Sequence, residues 1–403
     1  MSPYKQFALD DWVHRYGSSC KIGLHGSAVQ ALSLSDLQSF SPTTPILDPD
    51  VALTYGPTHG LPTLREKIRD LYRAPDGQHA IDSEDVLVTA GAIDANHLVL
   101  ESVLKAGDHV IIQYPIYGPL LEIPRSLGAE VSFWKWREGG SFSEWMLDIE
   151  ELKAMIKPKT KLIMLNNPTN PTGFILSREK MQQIVDLAKA HGILIMCDEV
   201  FRYLHHDDKV PEPPSLLELG YEMSIVTSSV SKAFALPGLR VGWVAVSPDL
   251  RNTLLKDILR TRDYTTITVS QIDQQVAAYV LRPDVRAPIL ERSRAICRRN
   301  MAVIREWAAQ RPWVEYIDPQ GAGTCTVRIR GTRGDIVDDE LFAKKLADSE
   351  SVCVPPAGLC FGQEADGKGE TSFAGCLRVG IVTEAGVVEE GLDAIAKLQA
   401  KWP

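Results

Sequence analysis

Short, continuous apolar runs alternate along the first two thirds of the chain with segments of helical period. The runs are 85–89 (DVLVT), 109–113 (HVIIQ), 161–165 (KLIML), 193–197 (ILIMC), 224–227 (SIVT) and 241–246 (VGWVAV). They are short for helices and lack the polar alternation of half-exposed strands, so they read as strands buried on both faces. Between them, 92–104, 148–156 and 177–190 carry helical periodicity. Ser177 is placed as an N-cap, and Gly192 stands just past the end of its helix. The pattern predicts an α/β fold: a three-layer, mostly parallel sheet with helices on both faces. Ligands in such sheets sit at the strand ends.

After residue 285 the pattern changes. A long helix (285–310) leads to strands at 314–317, 325–330 and 376–381, with another helix near 338–348. This predicts a smaller α+β domain. The expected division is 1–45 as an N-terminal segment packing with the small domain, 46–285 as the large domain, and 286–403 as the small C-terminal domain. The Gly-rich stretch 355–373 reads as a mobile loop or lid. Repeats and low-complexity tracts are absent from the sequence.

Composition narrows the class. The 403 residues are 44% hydrophobic and 24% charged, which is ordinary globular usage. With 43 basic and 52 acidic side chains the net charge is −9, which argues against nucleic acid as a partner. Five arginines between 286 and 299 read as the wet face of an amphipathic helix. Seven cysteines without a CxxC pair suggest reduced thiols, not a disulfide framework or a zinc site. No window approaches 18 apolar residues, and the first residues lack an apolar leader core, so no membrane is expected and the cytoplasm is the default. The run 205–208 (HHDD) reads as a solvated loop, because adjacent side chains diverge; no metal site is expected.

The chemistry concentrates at the ends of the apolar runs. Lys232 follows a strand and the hydroxyls of Ser228, Ser229 and Ser231; Arg240 lies eight residues later, with Gly238 between them. A lone lysine is usually a surface charge, but this setting offers an amine beside an arginine that can fork onto a phosphate. Asp198 closes the run 193–197, where a buried carboxylate needs a partner. Asn170 sits in 167–173 (NPTNPTG), whose two X-Pro steps keep the loop out of helix. Gly91 and Ala92 join a strand to a helix N-terminus, a ready anion site. Tyr117 follows another strand and has the flat face needed to stack on a ring. An amine, a carboxylate for a ring nitrogen, a phosphate cup and a stacking ring are what pyridoxal 5′-phosphate (PLP) demands.

In this order the motifs resemble the class I/II aminotransferases, fold-type I PLP enzymes, over most of the chain from about Tyr55 to Arg378. The resemblance implies that Lys232 forms the Schiff base, Asp198 pairs with the pyridine nitrogen, and Asn170 contacts cofactor and substrate. It implies that Ser229, Ser231, Arg240 and the Gly91–Ala92 amides bind phosphate, with Tyr117 on the ring. Tyr55 resembles a tyrosine that reaches the neighbouring subunit's phosphate, which implies a homodimer with shared sites. Arg378 resembles the arginine that grips the substrate carboxylate, and Gly26 falls in the segment that contacts substrate. The implied activity is transfer of an amino group from an α-amino acid to a keto acid.

One position departs from the family. Its usual Asp-Glu-x-Tyr stands here as Asp198-Glu199-Val200-Phe201, so the phenol donor to the ring oxygen is missing. Segments 7–12, 89–93 and 123–128 resemble the capreomycidine synthase-like branch, which handles arginine-derived amino acids. Phe201 also resembles the PLP-dependent arginine oxidases. The alternative outcome is therefore cyclisation, elimination or O2-dependent oxidation of an arginine-like amino acid. A catalytically inactive PLP-binding regulator is a third reading, opposed by the complete catalytic set.

Overall fold

The computed structural model describes residues 3–74, 76–207, 209–362 and 372–403. Seven strands form the central sheet: β1 Val86–Thr89, β2 His109–Tyr114, β3 Glu130–Lys135, β4 Thr160–Asn166, β5 Leu194–Asp198, β6 Ser224–Ser229 and β7 Gly242–Val246. Their spatial order is β1-β7-β6-β5-β4-β2-β3. Only β7 runs antiparallel to its neighbours, β1 and β6; the other pairs are parallel. Five strands, β1, β2, β5, β6 and β7, are buried along their whole length.

Period-two geometry divides these strands between two cores. Ile111, Ile163, Leu165, Ile195 and Val226 face one apolar cluster, while Val110, Ile112, Leu162, Met164 and Ile225 face the other. The helix Arg178–His191 covers the first face through Met181, Ile184 and Ala188. The helix Ala92–Val103 covers the second through Leu98 and Val99. Each such fully buried aliphatic side chain contributes about 1.5–3 kcal/mol. Ser177 Oγ accepts from Lys180 N at 3.1 Å at the start of the first helix, and left-handed Gly192 ends it. The result is an α/β fold of three layers.

A second, antiparallel sheet has the order β8-β9-β10, from Val314–Ile317, Thr324–Ile329 and Cys376–Gly380. The long helix Pro283–Ala309 leads into it. The chain start lies against this sheet. Ile22–Gly23 pairs in parallel with Val352–Cys353, Gly380 N donates to Leu24 O at 2.7 Å, and Gln30 N donates to Val382 O at 3.0 Å.

Three expectations need correction. Within 355–373, residues Ala357–Phe361 form a short buried helix, not a mobile loop. Buried Asp339 holds it by accepting from the amides of Gly358 and Leu359 at 2.9 and 3.3 Å, so a carboxylate distant in sequence supplies its cap. The rest of that stretch, 363–371, lies outside the described residues. The arginine face of the long helix is not simply wet. Arg292 donates to Gln30 O and Arg294 to Tyr203 O, both at 3.1 Å, which fastens the helix to the remainder. In the run 205–208, His206 is buried, and burial lowers its pKa to about 4; Asp208 lies outside the described residues. Among the described residues no group of three His, Cys, Asp or Glu could hold a metal ion, and no helix is long and apolar enough to cross a membrane.

One close approach at the end of the large sheet depends on a missing side chain. Gly242 opens β7 and pairs with both Thr89 and Ser229. A Cβ there would stand 2.4 Å from the Gly91 carbonyl carbon and 2.6 Å from Ala92 N. Gly242→Ala is expected to destabilise the fold by about 2–3 kcal/mol. Gly386→Ala, where a Cβ meets open space, is the control. Urea unfolding midpoints check the pair; equal midpoints would show that the backbone approach is not tight.

Candidate functional site

One edge of the large sheet gathers the chemistry. β4 ends at Asn166, β5 at Asp198 and β6 at Ser229, with Asn166 paired to Asp198 and Asp198 to Thr227. β1 runs out to Gly91 and Ala92, and β2 to Tyr117. Because β7 is antiparallel and begins at Gly242, Arg240, two residues before it, arrives at the same edge. A cavity of about 380 Å³ opens there. Ala92, Tyr117, Asn170, Asp198, Ser229, Ser231, Lys232 and Arg240 line it, together with Arg378 from β10.

Asp198 is 3% exposed, and burial raises its pKa. Two donors oppose that shift: Asn96 Nδ2 reaches Asp198 Oδ2 at 2.8 Å, and Val200 N reaches Oδ1 at 3.0 Å. Asn96 is itself held by Thr227 Oγ1 at 2.5 Å. Lys232 faces this carboxylate across the cavity. Burial, then the charge of Arg378, lowers the lysine pKa to about 8, while Asp198 raises it. The ring of Phe201 stands 5.8 Å from Lys232 Nζ. Tyr203 does not replace the missing phenol; its hydroxyl donates to Leu71 O at 3.0 Å and accepts from Arg202.

Around this pair are groups that lack partners. The helix Ala92–Val103 starts at Gly91, φ 84°, without a side-chain cap. A Cβ on Gly91 would stand 2.5 Å from Arg240 Nη2, so glycine leaves the guanidinium its place beside the helix N-terminus. Arg240 itself is left-handed, φ 53°. Asn170 N is fixed on Asn166 Oδ1 at 2.9 Å, while its own buried Oδ1 has no partner among the described residues. Arg378 is 2% exposed; its Nη2 donates to His25 O at 2.5 Å, and its buried Nε has no partner among the described residues. Burial pulls its pKa down to about 10. A buried guanidinium with spare donors calls for an anion.

Three expected site residues do not line this cavity, and of these Tyr55 is the one expected to serve a second copy of the chain. Tyr55 is 79% exposed and lines a surface cleft with Leu53, Gly56 and Gln271, not this cavity. Gly26 is also outside it: its carbonyl is packed against Gly380, while His25 and Ser27 on either side line the cavity. In an extended segment, alternate residues face opposite ways. Gly91 backs Arg240 and does not line the cavity directly. Three polar lining residues escaped the sequence reading: Asp10, Asn96 and Asn166. Asn96, one helical turn after Ala92, was the most accessible of them to a periodicity argument.

An uncapped helix start with an arginine, a buried carboxylate and a buried lysine of lowered pKa fit the phosphate, ring nitrogen and aldehyde of PLP. The chain matches the family described as Aminotransferase class I and II over residues 30–395. It belongs to the class I and II aminotransferases. The arginine–pyruvate transaminase of Pseudomonas aeruginosa is 31% identical over 93% of this chain and 91% of its own. Capreomycidine synthase of Streptomyces vinaceus is 28% identical over 96% and 92%. A crystal structure of a PLP-dependent aminotransferase from Streptococcus suis superposes with TM-score 0.85 at 31% identity, covering 99% of each chain. The protein is thus a PLP-dependent enzyme of the aminotransferase family.

The lowered lysine pKa has a measurable sign. The reactive free amine of this aminotransferase predominates above about pH 8, not above the usual 10.5. Attachment of PLP to enzyme stripped of cofactor should therefore speed up as pH rises through about 8 and slow below it. Absorbance-monitored recombination reads this directly; a midpoint near 10 would contradict the buried setting. Asn96→Ala should weaken PLP binding about tenfold, the scale of one hydrogen bond to a charged group.

Proposed function

We propose that this aminotransferase takes the amino group from an α-amino acid with a cationic side chain and passes it to a keto acid. The observation that carries the side-chain preference is Asp10. It lies on the helix Ala8–Tyr16, lines the cavity, and has no hydrogen bond or ion pair among the described residues. Lys232, Arg240 and Arg378 already serve amine, phosphate and carboxylate in this reading. Asp10 remains as a carboxylate for a guanidinium or ammonium on the substrate. The arginine–pyruvate transaminase and capreomycidine synthase relatives support the same substrate class.

Geometry and charge support the residue roles in this reading. Bound PLP draws off the electrons left by a breaking Cα–H bond. Arg378, rigid and short of acceptors, forks onto the substrate carboxylate, and Asn170 donates beside it. Asp198, kept charged by Asn96 and Val200 N, holds the proton on the ring nitrogen. With PLP bound, Lys232 Nζ would be the base that takes the Cα proton and holds it for return. Ser229, Ser231, Arg240 and the Gly91–Ala92 amides hold the phosphate, and Tyr117 stacks on the ring. Tyr55 then serves a second copy of the chain, which makes the active unit a homodimer. None of the seven cysteines is in a disulfide, which suits a reducing cytoplasm.

A second reading rests on Phe201. With no donor at that position, the ring oxygen loses a partner, and the same first step leads to cyclisation, elimination or oxidation. An assay of arginine, lysine and citrulline with and without a keto acid separates the two. Transamination predicts amino transfer that requires the keto acid. Ammonia, peroxide or a cyclised product without it would replace that outcome. Asp10→Asn should lower kcat/KM for arginine about 10- to 100-fold and spare neutral citrulline. Mixing Lys232→Ala with Tyr55→Ala chains should restore activity that neither has alone, because one site of a mixed dimer keeps both residues. No recovery would remove the shared-site reading.

A further inference from the structure

Ser27 reaches the reactive amine from the other side of the cavity. Lys232 Nζ donates to Ser27 Oγ at 3.0 Å, across 205 residues of chain. Lys232 follows the end of β6 in the large sheet, whereas Ser27 is held by the small sheet. Two glycines set that hold. A Cβ on Gly380 would meet Gly26 O at 2.3 Å, and one on Gly323 would meet Ser27 O at 2.6 Å. The segment 24–30 is also bonded at both ends, through Leu24 O and Gln30 N, to the strand end at Gly380–Val382. The hydroxyl is therefore placed by β9 and β10, not by the strand that carries the lysine. On the lysine's own side, Phe201 offers only a ring face.

We propose that Ser27 is a positioning residue for Lys232, holding the free amine in the cavity and tying its position to the small sheet. The proposal rests on the reading of Lys232 as the residue that carries PLP. A hydroxyl at 3.0 Å accepts a proton-bearing amine without adding charge, so the lysine is oriented and not neutralised. Its loss slows every step in which the amine acts while leaving the grip on the substrate carboxylate to Arg378. A purely structural role for Ser27 would instead disturb KM and stability, because Gly26 and Arg378 share its neighbourhood.

Full-length Ser27→Ala and Ser27→Thr test this beside the unaltered enzyme. Borohydride reduction of the holoenzyme followed by peptide mass mapping identifies the lysine that carries PLP. Recombination of stripped enzyme with PLP, and kcat and KM for arginine or the amino acid the assay selects, read the amine. The expected result is label on Lys232 in all three proteins. Ser27→Ala should lose roughly tenfold in both recombination rate and kcat, the scale of one hydrogen bond, with KM unchanged. Ser27→Thr, which keeps the hydroxyl, should recover both. Label on Lys232 with wild-type rates in Ser27→Ala overturns the proposal alone. Label on another lysine overturns the lysine assignment and the proposal together.

Discussion

The site depends on a carboxylate and an amine held out of water at one end of a buried sheet. Burial pushes Asp198 toward its neutral form and Lys232 toward its free base, while each favours the charge on the other. Neither tendency wins outright. Asn96 and Val200 N supply the donors that keep a carboxylate in place, and the positive field of Arg378 adds to burial in lowering the amine's pKa to about 8. A surface lysine and aspartate of the same spacing would sit near their ordinary values and would lack this poise.

The rest of the architecture serves that pair. Parallel strands deliver Asn166, Asp198 and Ser229 to one edge in register, and the single antiparallel strand brings Arg240 to the same edge. Gly242 and Gly91 let backbone and guanidinium close in where a methyl group would stand between them. From the opposite side, β10 presents Arg378, and the chain start is threaded along it so that His25 and Ser27 complete the wall. Asp339 stabilises the short helix Ala357–Phe361, whose Phe361 ring lies 5.8 Å from the Arg378 guanidinium. The cavity is thus walled from both sheets.

Phe201 and Asp10 mark how this chain individualises a common scaffold. The scaffold is shared with aminotransferases and with capreomycidine synthase at similar identity. Phe201 sets a ring face 5.8 Å from Lys232 Nζ, and Asp10 sets a carboxylate at the cavity wall. Both act on the balance of charge around a substrate, where a single hydrogen bond shifts rates by about tenfold.

The sequence by itself determined the strands, the helix caps and the residues that end the strands. Continuous apolar runs have one stable solution, a doubly covered sheet, and its strand ends are where Asp198, Lys232 and Gly91 fall. Motif order was enough to bring Asn170, Arg240 and Arg378 into one picture. What stayed hidden were contacts between residues far apart in the chain: Asn96 with Asp198 across 102 residues, and Ser27 with Lys232 across 205. Local pattern carries no information about such distances. It also could not say which way 25–27 faces, so Gly26 stood in for its neighbours, or that Asp339 would turn part of a Gly-rich stretch into a buried helix. Those choices were made by packing, because only the assembled sheets decide which face of an extended segment meets the cavity and which buried amide finds its acceptor.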